Sequence, residues 1–157
     1  MYYLFEHKLK DNKDNFKGFL IELCNDIDEM VQRYPNLNFF IVGQGIVTSD
    51  EVVNCLKTDL KNSFLSKILD PNKCRNSIDF FEEKTKVINN SFIDYSNQRK
   101  NVFFIDRNQP LKISDGLYKT FSKNNTPLFF DTAHSSSEGG CVVGKYIIDS
   151  VIDKIQY

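Results

Sequence analysis

Asp131 and His134 are the residues whose types and spacing best suit chemistry in this chain. They lie in Leu128-Phe129-Phe130-Asp131-Thr132-Ala133-His134-Ser135-Ser136-Ser137-Glu138-Gly139-Gly140, where a short apolar run ends in an Asp and a His follows three residues later. A serine-rich turn then opens an apolar-periodic segment. That order puts a carboxylate and an imidazole at a strand-to-helix junction, where the carboxylate can orient a His that works as a general base. Such a base needs a hydroxyl to deprotonate, and no serine in the chain is a convincing activated nucleophile. Ser135 or Ser136 suits the N-cap of the following helix, and Glu138 has the spacing of a capping box with Ser135. A serine immediately after His134 is carried in the wrong direction to meet its Nε2. The local alternative for the same Asp and His is a cap network at the helix entrance.

The elements that must position this pair alternate as in an α/β domain. Residues 2–5 suggest a short strand. Over 16–34 the apolar positions Phe16, Phe19, Leu20, Leu23, Ile27, Met30, Val31 and Tyr34 recur at three and four, which predicts an amphipathic helix stopped by Pro35. Residues 38–43 (NFFIVG) form an apolar run ending in Gly, the pattern of a strand buried on both faces of a parallel sheet. A short helix is expected near 50–60 and a polar turn at Asp70-Pro71-Asn72. A second long helix is expected over 77–98, with Phe80, Phe81, Lys84, Val87, Ile88, Phe92 and Tyr95 inward. Residues 101–106 (NVFFID) repeat the strand signature, and 106–126 read as a loop-rich insertion with turns at Gly116 and Asn124-Asn125. The last helix, 136–155, should bury Val143, Ile147, Ile148, Val151 and Ile155. This order implies βαβ crossovers, a parallel sheet covered on both faces, and reactive groups at the carboxyl ends of its strands.

At 157 residues the chain fits one domain, 1–157, and its 26% charged and 41% apolar content is ordinary for a globular protein. A net charge of −1 gives no electrostatic case for nucleic acid or an anionic membrane. No apolar run approaches the roughly 18 residues of a membrane span, and the N-terminal residues read without a signal-peptide core. Cys24 and Cys141 read as small core residues on helical faces, whereas Cys55 and Cys74 bracket a polar region and could form a loop-closing bridge or stay free. No CxxC pair suggests zinc, and no cofactor is called for. His7 reads as solvated surface, as do Asp26, Asp28 and Glu29 on the outer face of the first helix.

The Asp-x-x-His block, with a small-residue turn and Gly139 five positions after the His, resembles the last block of SGNH/GDSL hydrolases. Upstream, NFFIVG, Cys55-Leu56, Cys74, the 77–98 helix and NVFFID follow an order similar to the SGNH domain of membrane-bound O-acyltransferases that acetylate bacterial surface polysaccharides. Thr126-Pro127-Leu128-Phe129-Phe130 stands where that family has a Pro-Leu-Tyr-like strand. The similarity covers about 37–148, but only the Asp–His block is sharp. The resemblance implies a three-layer parallel sheet flanked by helices (SGNH/flavodoxin-like) and an extracytoplasmic setting. By the same resemblance His134 is the general base, Asp131 accepts its Nδ1–H, and the substrate is an acylated or acetylatable sugar.

The family's Gly-Asp-Ser nucleophile block is missing here, as are its oxyanion-donor Gly and Asn blocks. Gly43-Gln44-Gly45 reads as a turn after a buried strand. The cysteine pair that acyltransferase-linked relatives carry before the Asp–His block has no counterpart in 108–121. The expectation is therefore a domain incomplete at its N-terminus, with an upstream membrane acyltransferase polypeptide as a candidate partner. Loss of a first strand would leave Phe39, Phe40 and Ile41 beside an unpaired sheet edge. Three functions stay open: an O-acyltransferase or esterase completed by other polypeptide, a catalytically inactive remnant, and a non-enzymatic α/β interaction module.

Overall fold

The structure is a computed structural model, and it describes residues 13–47, 76–78, 82–114, 117–124 and 126–155. The expectations at 2–5, 50–60 and 70–72, and those for His7, Cys55, Cys74, Phe80, Phe81 and Gly116, lie outside the described residues or side chains. The side chain of Lys84 lies outside them too.

Three helices and five short strands are described: α1 (Lys13–Arg33), β1 (Phe39–Val42), β2 (Asn76–Ile78), α2 (Glu82–Asn97), β3 (Val102–Ile105), β4 (Lys112–Ser114), β5 (Leu117–Lys119) and α3 (Ser137–Ile155). The chain is α/β, but its described strands form two separate sheets. One is a parallel pair, β1 with β3, in which Phe39 faces Val102 and Val42 faces Ile105. The other is antiparallel, in the order β2-β5-β4.

Alternation along the parallel pair assigns each face its partner. Phe39 and Ile41 join Val102, Ile27 and Tyr95 in a cluster that also holds Leu23, Cys24 and Val31, and this seats α1 on the pair. Phe40 and Phe103 stack at 5.4 Å, and the Lys154 ammonium of α3 stands 5.8 Å from the Phe103 ring. A second cluster, Ile46, Leu111, Tyr118, Leu128, Phe129 and Val143, joins the segment after β1, the β4–β5 region and α3. This cluster lies under the Asp131–His134 loop.

Several sequence expectations need correction. The segment 76–78 is a strand rather than the first turn of α2, because it pairs with the distant β5. The expected loop-rich insertion holds β5 and its other antiparallel neighbour, β4. β1 is half-buried with Val42 exposed, not enclosed on both faces, and β3 is its one strand neighbour among the described residues. Val87, Ile148 and Ile155, assigned to inner faces, are 52%, 60% and 61% exposed. Cys141 is exposed as well, whereas Cys24 is half-buried with its thiol pKa pushed up by that burial.

Asp28 is no solvated bystander. Its carboxylate takes a two-pronged ion pair from Arg99, Nε to Oδ1 at 2.7 Å and Nη2 to Oδ2 at 2.8 Å. The Tyr95 hydroxyl donates to Oδ1 at 2.7 Å, and the guanidinium lies 3.5 Å over the Tyr95 ring. Such a fork locks α1 to the end of α2 more firmly than a lone surface pair. The Arg99 hydrogen bond accordingly holds the Asp28 carboxyl below the usual carboxylate range.

Candidate functional site

The segment before the Asp–His pair is not a strand. Residues 127–136 make a compact loop closed by isolated bridges, Phe121 to Pro127 and Phe129 to Ser135. The Phe130 N–H donates to the His134 carbonyl at 2.9 Å, and the Ser136 N–H to the Leu128 carbonyl at 3.0 Å. Leu128 and Phe129 are buried anchors, and Phe130 is turned outward.

Within this loop Asp131 and His134 are brought together as expected. Asp131 Oδ1 accepts the N–H groups of Ala133 and His134 at 2.9 and 2.8 Å. The ring Nδ1 of His134 lies 2.8 Å from Oδ2 and 2.9 Å from Oδ1. These donors, led by the Ala133 N–H, lower the Asp131 pKa and keep it ionised. An ionised carboxylate only accepts, so Nδ1 must carry the proton, and in the neutral ring the lone pair sits on Nε2. The His134 side chain is 71% exposed, and no described residue hydrogen-bonds to its Nε2.

Ser136 caps α3: its Oγ accepts the Gly139 N–H at 3.1 Å and donates to the Pro127 carbonyl at 2.6 Å. That overturns the capping box expected between Ser135 and Glu138, because the cap sits one residue later and Gly139 occupies the third helical position. Gly139 has its own reason to be glycine. A Cβ there would lie 2.0 Å from the Leu128 carbonyl oxygen, so the helix can reach the loop only without a side chain. The Gly five positions after the His is thus a packing requirement of the loop that carries the His.

Opposite the loop stand the carboxyl ends of β1 and β3. Gly43 follows β1, and its N–H donates to the Ile105 carbonyl at 2.9 Å. Two buried asparagines then clamp the following turn. Asn89 of α2 accepts the Gln44 N–H at 2.7 Å. Asn108, after β3, accepts the Ile46 N–H at 3.0 Å and donates to the Gln44 carbonyl at 2.8 Å. Gly45 and Ile46 of this turn, Arg107 and Asn108, and Ala133 and Ser135 of the loop border a shallow hollow, completed by Leu111, Phe129 and Val143. The hollow has room for little more than a water molecule. The residues flanking His134 line it; the imidazole itself stands out into solvent.

Sequence reasoning missed Asn89, Asn108 and Arg107. The available signal was that both apolar strands run straight into polar turns, Gln44 after one and Arg107-Asn108 after the other, at the sheet edge where ligands gather. No serine hydroxyl among the described residues is hydrogen-bonded to His134. Comparison with protein-family models, curated proteins and solved structures finds no match to this chain. Among the described residues no helix is long and apolar enough to cross a membrane.

Proposed function

We propose that this chain is the C-terminal part of an SGNH-type, three-layer α/β domain that supplies the His–Asp half of a Ser-His-Asp triad. Its reaction is acyl transfer to, or ester hydrolysis on, an acetylated surface polysaccharide. The observation carrying this reading is the Nδ1–carboxylate contact at 2.8 Å with Nε2 left open to solvent. Asp131 fixes the tautomer, Nε2 takes the proton as a serine oxygen attacks the acyl carbon, and the imidazolium then returns it to the leaving group. The serine comes from polypeptide outside this sequence.

The competing reading, an inactive remnant or an interaction module, draws on one observation: Asp131 Oδ1 also closes its own loop through the Ala133 and His134 N–H groups. A loop-stabilising carboxylate needs no serine. Coexpression with an upstream polypeptide carrying a Gly-Asp-Ser block separates the two. The triad reading expects fluorophosphonate labelling of that serine and acetyl-ester hydrolysis, both lost in His134→Ala. Labelling that is absent, or equal with and without the imidazole, would falsify it.

A further inference from the structure

Among the described residues, Arg107 is the single charged one bordering the hollow beside His134. Its guanidinium lies close against Gly45, where an added Cβ would meet Cζ at 3.2 Å and Nε at 3.3 Å. The Gly45 turn is itself held by Asn89 and Asn108, so the surface under the guanidinium is rigid. The side chain is half-buried, yet it makes no hydrogen bond or ion pair with any described residue. Its neighbour Asp106 is engaged elsewhere, accepting the Asn108 N–H at 3.0 Å. Asp131 is likewise occupied by its loop. Five N–H donors in a planar fork, partly removed from water and left without an acceptor, form a ready seat for a planar oxyanion. The fork stands at the carboxyl ends of two parallel strands, where ligands of α/β sheets gather.

We propose that Arg107 anchors a carboxylate of the ligand at this site, so that the acceptor is an acidic sugar of the uronic-acid class rather than a neutral one. This rests on the acyl-transfer reading for what happens after binding, but the binding itself needs no serine and no turnover. The hollow is too small to take the carboxylate in, so the charged group would sit at its mouth on the open edge of the guanidinium, with the sugar ring on the solvent side next to His134.

Titrating the full chain with galacturonate, galactose, acetate and inorganic phosphate, followed by amide and guanidinium NMR, tests it. Galacturonate should give saturable shifts at Arg107 Nε–H, Ile46 and Ser135, and galactose none. Arg107→Gln should abolish those shifts, and Arg107→Lys, which keeps charge but loses the fork, should weaken binding about tenfold. Lys145→Gln, on the exposed side of α3 and away from the hollow, should bind as the parent does, and unchanged spectra away from the hollow show that each variant is folded. Equal shifts with galactose, unaltered binding in Arg107→Gln, or binding of acetate or phosphate without galacturonate would overturn the proposal. None of these outcomes bears on serine labelling, so failure here and failure of the triad reading are told apart.

Discussion

Gly139→Ala tests whether α3 really docks its first turn on the Asp131–His134 loop. The added methyl carbon would lie 2.0 Å from the Leu128 carbonyl oxygen and 2.9 Å from its carbon, both backbone atoms. No rotamer change relieves such an overlap, so helix and loop must separate by more than an ångström. That loosens the Gly139 to Ser136 cap and the Ser136 to Leu128 hydrogen bond, at 3.1 and 3.0 Å. Overpacking typically costs about 1–3 kcal/mol, and a weakened cap adds about 1. Against this, alanine gains roughly 1 kcal/mol over glycine inside a helix. The expected net is a destabilisation of about 1–3 kcal/mol, read from the urea midpoint at constant slope. Gly140 and Gly144 in the same helix, where a Cβ meets nothing within 4 Å, are the controls. Gly140→Ala and Gly144→Ala should be neutral or stabilising. If Gly139→Ala matches them, the close approach of helix and loop is not there, and the account of how His134 is positioned falls with it.

Ser136→Ala should cost about 1–2 kcal/mol, since it removes the cap and the bond to Pro127, whereas Ser135→Ala should change urea stability little. In Asp131→Ala, nitrogen-15 spectra of the His134 ring should lose the protonated-Nδ1 pattern; an unchanged pattern would mean the carboxylate does not set the tautomer. Asp28 and Asp131 both have folded pKa values below their unfolded ones. Their contribution is therefore complete above the unfolded carboxylate value of about 4 and is lost as pH falls through the folded values. Both are partly exposed, so the loss should be only about 1 kcal/mol in total, and Asp28→Asn should flatten part of the acid limb of a stability–pH curve. Because β1 has one strand neighbour among the described residues, the isolated chain should self-associate in light scattering, and a monodisperse monomer would count against an open sheet edge.

What the sequence carried was local. The helix expected at 16–34 appears as α1, because an apolar spacing of three and four followed by Pro35 leaves few alternatives. The two apolar runs 38–43 and 101–106 appear as the parallel pair β1 and β3 for a similar reason. The Asp131–His134 contact was legible from its short spacing, within the reach of one turn. Non-local pairing was not. Ser77 and Ile78 of β2 were absorbed into the helix expected over 77–98, because nothing in Asn76–Ile78 announces a partner as remote as Leu117–Lys119. The outward Ile148 and Ile155 show the opposite failure: periodicity marks an apolar face but not whether anything lies against it. Asp28 was misread because its partner Arg99 lies just past the end of α2, 71 residues away.

The two readings of Asp131 make different demands on its carboxylate, and the geometry lets both be met at once. Oδ1 takes the two backbone N–H groups, while Oδ2, at 2.8 Å, is the nearer oxygen to Nδ1. Loop closure alone would be served as well by an asparagine, whose side-chain oxygen also accepts two N–H groups in an Asx turn. Only ring orientation requires the second, charged oxygen. Asp131→Asn is therefore the substitution that divides the roles. It should keep the loop's backbone hydrogen bonds and nearly all the urea stability, but present an amide donor to Nδ1 and favour the opposite imidazole tautomer. An esterase assay of the completed domain would then fall while folding stayed intact. If Asp131→Asn instead unfolds the loop, the carboxylate is held by structure alone.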